Sequence, residues 1–323
     1  MIGKNQQEEI KKMSVSITVL GSFVTQMSVY LDRQPLLGET IVANDFDMGP
    51  GGKGNNAAIA IKRLETEVVL IEKLGNDVFS DMAYNIYEQE NIKTKYIYQT
   101  DDVKTGVGLV YIQPDGENTA AFFKGANEYL SAEDVMKAKK DLLTSNLLLT
   151  NLEVPEKAIE SAVELAHKND ITIVLNPAPA RNISDNIMEK VDVFTPNVIE
   201  AAFYADEDLQ EDISVNRAEY LAKKIQSKGP NNVIITLGKK GALMVNNDNI
   251  LYQEGFQVNN IDTVGAGDSF NGALCVCIAQ GCTWKESLKR ACINGALTTT
   301  KNGVIGALPF VKDVNNFIKQ YKR

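Results

Sequence analysis

Short runs of apolar, β-branched residues recur along the chain, separated by stretches whose apolar positions fall on one helical face. The runs at 17–20 (ITVL), 68–71 (VVLI), 147–150 (LLLT), 171–175 (ITIVL), 191–194 (VDVF) and 233–237 (VIITL) predict strands. The stretches near 54–64, 79–90, 132–143, 156–168 and 214–227 predict helices. Strand–helix alternation at this spacing predicts an α/β fold: a mostly parallel sheet with helices on both faces, three layers in all. After residue 237 the rhythm changes. GALMVN and the region around LYQEGFQV predict antiparallel strands, and longer helices follow near 267–280 and 284–301.

Residues 22–50 and 95–125 break the pattern. IVANDFDM, GVGLVYIQ and TAAFFKG alternate apolar and polar positions with no helix between them. Alternation implies a sheet covered on one face only. These segments are expected to pair into a small β-sheet lid over the mouth of the main domain, which spans 13–323. Residues 1–12 read as a disordered polar tail.

Composition narrows the function. The 323 residues carry a formal net charge of −9, which argues against nucleic acid or an anionic lipid surface as partner. No apolar run approaches the roughly 20 residues of a membrane span, and the N-terminal stretch lacks a signal-peptide core, so a cytoplasmic protein is expected. Cys275, Cys277, Cys282 and Cys292 lie in one late helical region without C-x-x-C spacing and read as small helix residues in a reducing compartment. His167 is the single histidine, which removes histidine triads and multi-histidine zinc sites.

Two stretches carry candidate chemistry. The first, MGPGGKGNNAA (48–58), satisfies G-x-G-x-x-G through Gly49, Gly51 and Gly54, with Glu72 placed to pose as the ribose-binding acid. The dinucleotide reading requires a buried strand directly before the glycines, and IVANDFDM alternates instead. The phosphate-loop reading fails twice: Asp47 stands at the first glycine, and Gly54 follows Lys53 where Ser or Thr should bind magnesium. A third reading has glycines permitting close backbone approach and Asn56 offering donor and acceptor to a sugar hydroxyl. A bare glycine turn capping a helix fits this stretch equally well.

The second stretch, DTVGAGDSFNGAL (262–274), leaves Gly265, Ala266 and Gly267 with free backbone amides before a helix, an arrangement that favours negative charge. Asp268 there is either a helix cap or a working carboxylate.

Together these stretches resemble the two signatures of the ribokinase-like (PfkB) carbohydrate kinases, with ribokinase and deoxyribokinase the nearest branches. The resemblance spans about residues 15–320. It includes GSF (21–23), PLLGET (35–40), KGAN (124–127), NLEVP (151–155), NPAPAR (176–181), TPNVIEA (195–201) and ITLGKKGA (235–242).

The resemblance implies an ATP-dependent sugar kinase. Asp268 matches the general base, and Gly265, Ala266 and Gly267 match the anion hole for the transferring phosphoryl group. Gly52, Lys53, Asn56 and Glu153 match sugar contacts. Asn197 and Glu200 match the N-x-x-E motif that organises Mg2+ and the phosphates. Thr236, Gly238, Gly241 and Gly267 match nucleotide contacts, although ITLGKKGA alone reads as a plain hairpin. A monovalent cation site, usually K+, matches Asp262, Val264, Thr298, Lys301, Gly303 and Ala307, the last where serine is usual. Because phosphoryl transfer is largely dissociative, an Asp with an ordinary pKa near ~3.9 suffices as base.

One departure bears on the substrate. Val24 and Gln26 stand where ribokinases place Asn and Asp against ribose hydroxyls. A buried hydroxyl facing Val24 loses its partner at ~1–3 kcal/mol, so ribose is disfavoured relative to a sugar lacking that hydroxyl, such as deoxyribose, or another pentose or hexose. Alternatively, a register shift brings Thr25 or Gln26 to the same hydroxyls. Gly106 stands where the phosphofructokinase branch carries an Arg for substrate phosphate, which disfavours sugar phosphates. A non-catalytic sugar sensor and a nucleoside kinase of the same fold are the other readings. Family likeness further implies a homodimer through the lid strands.

Overall fold

The computed structural model describes residues 15–114, 118–208 and 214–321; the expected polar tail, 1–12, lies outside them. In chain order the first half runs β1 (Ser16–Leu20), β2 (Val24–Tyr30), β3 (Asp45–Gly51), α1 (Lys53–Arg63), β4 (Glu67–Gly75), α2 (Val78–Gln89), β5 (Tyr96–Thr100), β6 (Gly106–Ile112), β7 (Asn118–Phe123), α3 (Ala132–Leu142), β8 (Leu147–Asn151) and α4 (Glu156–His167). The second half runs β9 (Thr172–Asn176), α5 (Asp185–Met188), β10 (Val193–Phe194), α6 (Val198–Tyr204), α7 (Val215–Gln226), β11 (Asn232–Thr236), β12 (Gly241–Val245), β13 (Ile250–Glu254), α8 (Ala266–Ala279), α9 (Trp284–Thr298) and α10 (Val311–Tyr321).

Nine strands form the main sheet in the order β13-β12-β11-β10-β9-β8-β1-β4-β5. The pairs from β10–β11 through β4–β5 are parallel, and β12 and β13 are antiparallel. Both faces are buried, which explains the uninterrupted apolar strands. Along β8, Leu148 joins one core and Leu147 and Leu149 the other. The first core packs α3, α4 and α7 on one face; the second packs α1, α2, α8 and α9 on the other. This is the expected three-layer α/β/α arrangement.

The second sheet has four strands in the order β3-β2-β6-β7. The strand at 96–100 was expected with them. It pairs instead with β4 at the edge of the main sheet, in register from Ile71↔Tyr96 to Gly75↔Thr100. Its opening residues Tyr96 and Ile97 are buried and belong to opposite cores, a two-sided environment that alternation alone does not reveal. The strand read as IVANDFDM begins only at Asp45 and runs on into the glycines to Gly51.

In the small sheet, paired residues share a face. One face carries Thr25, Met27, Val29, Phe46, Met48, Leu109 and Phe123; the other carries Val24, Gln26, Ser28 and Tyr30. The Tyr30 hydroxyl is held above its ordinary pKa by partial burial and by the charges of Asp47, Asp262 and Asp45. Asp262 belongs to the segment before α8, so the Val24–Tyr30 face looks into the cleft.

Two buried polar features tie the layers. Arg63, at the end of α1, pairs with Glu90 at 2.5 Å and donates to the carbonyls of Ile305 and Leu308. Glu72 of β4 is fully buried, and one of its oxygens accepts the Tyr87 hydroxyl at 2.5 Å. Burial pushes the Glu72 carboxyl up to about 8, against the lowering effect of the Tyr87 bond, with the Glu153 charge adding to the rise.

Candidate active site

The glycines of the first stretch serve the protein's own backbone. Gly52 has φ 97°, and a Cβ there would lie 2.4 Å from the Ser22 carbonyl oxygen. A Cβ on Gly54 would lie 2.4 Å from the Cα of Gly21. Glycine is therefore required for the opening of α1 to press against the link between β1 and β2. This packs Lys53 and Asn56 beside Ser22 and the loop after β8. One Glu153 oxygen accepts both the Lys53 N–H, at 3.0 Å, and the Ser22 hydroxyl.

The second stretch meets the first across 212 residues of sequence. Asn56 Nδ2 donates to Asp268 Oδ2 at 2.7 Å. Asn55 Nδ2 donates to Asn56 Oδ1 at 3.2 Å, which leaves the Asn56 amide oriented toward the carboxylate. Asp268 lies in the first turn of α8, but the N-cap is Gly265 in the left-handed region, φ 79°, with no side-chain cap. The cap reading of Asp268 is thereby removed. A Cβ on Gly265 would lie 2.7 Å from Val304 Cγ1, so this glycine is fixed by close approach as well as by its φ.

The free-amide expectation needs a correction at one position. Ala266 N–H closes a turn on the Thr263 carbonyl at 3.3 Å. Among the described residues, the N–H groups of Gly265, Gly267 and Asp268 have no acceptor, as befits the first turn of a helix.

The electrostatics of the acid also differ from the sequence expectation of an ordinary carboxylate. Burial raises the Asp268 pKa, opposed by the Lys53 charge and the Asn56 hydrogen bond, while Glu153 adds to the rise. Burial pulls the Lys53 ammonium down, but Asp268, Glu153 and Glu200 outweigh it and hold the amine above its usual value. Lys53 is thus the shared counter-charge of three acids from three separate segments.

Asn197 and Glu200 form a capping box at the start of α6. Glu200 accepts from Asn197 N at 2.7 Å and from Asn197 Nδ2 at 2.9 Å, and Asn197 Oδ1 accepts from Glu200 N at 2.9 Å. Burial raises the Glu200 pKa, against the Asn197 bond and the Lys53 charge. The pair is both a local cap and part of the charged cluster.

Beyond the opening of α8 lies a cavity of about 320 Å3. Thr236, Gly238, Gly241, Ala266 and Gly267 line it. Gly238 and Gly241 belong to the tight β11–β12 connection, where their φ values are 57° and 103°. ITLGKKGA is therefore a hairpin, and that hairpin is one wall of the cavity. Sequence reasoning missed the opposite wall. Phe256 and Val258 come from an irregular loop after β13, and Cys292, Gly295 and Ala296 come from α9. The loop has no periodicity to read, and only the run of small residues in α9 signalled that something packs closely there.

The segments that carry the residues assigned to a monovalent cation, before α8 and after α9, border this cavity through Thr263 and Thr299. Asp262 accepts from Val264 N at 3.0 Å and from Gly303 N at 3.1 Å. That ties the segment before α8 to the turn after α9. The carbonyls of Val264, Thr298, Lys301, Gly303 and Ala307 accept no hydrogen bond among the described residues. Across the cleft, Val24 lies opposite Gly51 and Gly106 in the small sheet, and Gln26 opposite Gly49 and Gly108. Thr25 points to the other face and is fully buried, so no register shift brings it to the cleft. A side chain at Gly106 would meet Asn127 Nδ2 at 2.6 Å and the Lys124 carbonyl at 2.9 Å, which leaves no room for an arginine.

Three of the four cysteines are buried, all four are free, and no cluster of three metal-ligating side chains exists among the described residues. Among those residues no helix is long and apolar enough to cross a membrane.

A two-core α/β/α sheet, a small sheet facing its open end, and an acid at a helix opening between a polar recess and a larger cavity describe a phosphotransferase of the sugar-kinase class. The family model for pfkB carbohydrate kinases matches residues 15–310. A deoxyribokinase of Salmonella typhi is 32% identical over 305 residues, covering 94% of this chain and 99% of that protein. The crystal structure of a ribokinase from Thermotoga maritima superposes with TM-score 0.85 at 30% identity, covering 94% of this chain and 99% of that one. An Arabidopsis thaliana ribokinase, solved with ribose and ATP, shares the fold with TM-score 0.86 at 23% identity over 95% of this chain and 99% of that one. The chain belongs to the pfkB family of carbohydrate kinases.

Proposed function

We propose that Asp268 is the general base in transfer of the γ-phosphate of ATP to a hydroxyl of a free pentose or hexose. The observation that carries this reading is the Asn56–Asp268 bond of 2.7 Å at the opening of α8. It holds a carboxylate between the polar recess of Lys53, Asn56 and Glu153 and the 320 Å3 cavity walled by the β11–β12 turn. Sugar in the recess and nucleotide in the cavity would meet at that acid. The unbonded amides of Gly265 and Gly267 would face the charge that develops on the transferring group.

Positioning and charge stabilisation supply most of such a reaction, and the base need take the proton only late. The Lys53 ammonium, held charged by three acids, offsets the anionic surroundings that would otherwise repel the triphosphate. Glu200 is a buried carboxylate that would hold Mg2+, directly or through water, together with the phosphates. The metal would neutralise charge on them, and magnesium commonly keeps several waters instead of an all-protein cage. The five unbonded carbonyls near Asp262 are hard oxygen donors of the kind K+ takes, with Ala307 contributing only its backbone.

The substrate follows from the small sheet acting as a lid. Val24 gives no hydrogen bond to a hydroxyl, so a sugar without one there, such as deoxyribose, is preferred over ribose. The absence of room at Gly106 supports a free sugar over a sugar phosphate. The apolar outer face of the lid, including Phe46 and Met48, supports a homodimer through the lid strands. A coupled ADP-release screen over free pentoses, hexoses and nucleosides, with and without K+, tests the reading. ADP release dependent on a pentose or hexose is expected. Sugar-dependent thermal stabilisation without ADP release would instead identify a sensor.

A further inference from the structure

Behind Asp268 lies a second, much smaller cavity of about 10 Å3, lined by residues that include Lys53, Asn151, Asn176, Asp268 and Asn271. Its size matches one water molecule, and a buried space holds water only where several polar groups converge on it. That condition is met. Asn176 closes β9 beside Asn151 of β8, in the register Asn151↔Asn176. Val174, two residues before it, packs in the core under α1 and α8, so Asn176 faces the same side. Asn176 is only 8% exposed, yet its side-chain amide has no partner among the described residues.

The surrounding groups are partnered unevenly. Asn271 is satisfied: its Oδ1 accepts the Thr195 hydroxyl at 2.7 Å and its Nδ2 donates to the Gly267 carbonyl at 3.0 Å. Asn151 Oδ1 accepts from Glu153 N at 2.9 Å, and among the described residues its Nδ2 has no acceptor. Asp268 uses Oδ2 for Asn56, and among the same residues its Oδ1 has no donor and the Lys53 ammonium no acceptor. The unbonded atoms keep some accessible surface on the cavity, so a water lodged there can pair with several of them at once.

We infer that one ordered water occupies this cavity, bridges the Asn176 amide to Asp268 and Lys53, and makes Asn176 a positioning residue for the reactive acid. The inference rests on the assignment of Asp268 as base. The water on Asn176 would give the carboxylate a second donor besides Asn56 and would hold it toward the cleft. Loss of that donor disfavours the ionised form, so it moves the acid limb of the pH profile upward. The charged groups facing Asp268 are Lys53 on α1, Glu153 after β8 and Glu200 on α6.

Two measurements decide it. A high-resolution crystal structure should show a water within hydrogen-bonding distance of the Asn176 amide; a dry cavity overturns the inference whether or not the protein turns over sugar. In kinetics, Asn176→Leu fills the cavity with a side chain of similar size. It should lower kcat about tenfold, keep the sugar KM within twofold, and raise the pH midpoint of the acid limb. Asn176→Ser, which keeps a hydroxyl and space for water, should recover most of the loss and also decides the matter if the leucine variant folds poorly. Wild-type kcat and an unmoved acid limb in Asn176→Leu would refute the positioning role. An inactive wild-type chain with the water in place would instead sink the kinase reading.

Discussion

The two halves of the cleft are built on different principles. The recess under the small sheet is made of charged and amide side chains that converge from α1, α6, α8 and the loop after β8. Its geometry depends on buried hydrogen bonds between residues far apart in sequence. The larger cavity is made of glycine, alanine, threonine and a few apolar residues. There the shape comes from backbone turns and from small side chains that stay out of the way. One half is specified by what its residues donate and accept, the other by what they leave empty. A substitution in the recess should therefore damage chemistry or sugar choice, and one in the cavity should damage the handling of the nucleotide while leaving sugar binding intact.

The sharpest test of that division is Asp268→Asn. It keeps shape and removes the base, so kcat should fall by about 10³ or more while sugar binding, measured by calorimetry, changes little. Turnover within tenfold of wild type would remove Asp268 as base. Next in size is Gly267→Val. A Cβ at Gly267 has open space around it, so the valine projects toward the cavity without breaking the fold. The KM for ATP should rise by about thirtyfold, with sugar affinity unaltered; a matching loss of sugar affinity would erase the distinction between the halves. Smaller again is the double change Val24→Asn with Gln26→Asp. Restoring two hydroxyl partners should improve kcat/KM for ribose about tenfold and reduce the preference for deoxyribose. Unchanged selectivity would show that this pair does not set the substrate.

The raised pKa of Asp268 adds a pH signature to the same comparison. A base must be ionised, so activity is lost as pH falls through its pKa in the folded state. Because burial raises that pKa, the acid limb should begin at higher pH than an exposed aspartate would give. The KM for ATP at fixed magnesium should carry less of this limb than kcat.

Much of the main sheet was legible because its strands are apolar on both sides and its helices carry a clear 3.6-residue period. The elements that escaped are those decided by context. Tyr96–Thr100 alternates like its neighbours in sequence and still joins the large sheet, because Tyr96 and Ile97 find apolar partners on opposite faces. Helices α5, α6 and α10 were not anticipated; α6 starts from the Asn197–Glu200 capping box, a pairing that had been read only as chemistry. At the site, the two glycine-rich stretches and their acids could be picked out by residue type. The Asn55–Asn56–Asp268 chain could not, because amide orientation depends on partners that only folding supplies. Nor could the wall from Phe256 to Ala296, where an irregular loop meets the face of a helix.

Glu72 and Tyr87 sit beneath this machinery without joining it, and they link the fold to proton activity. The buried carboxyl stays protonated up to about pH 8, whereas the unfolded chain releases that proton near 4.5. Across that interval the native state binds one more proton than the unfolded state at this site, so conformational stability should fall as pH rises from about 4.5 to about 8 and level off above it. Glu72→Gln, a permanent mimic of the protonated acid, should flatten this slope in melting temperature against pH and leave turnover within twofold. An identical slope in both proteins would mean the acid ionises freely inside the core.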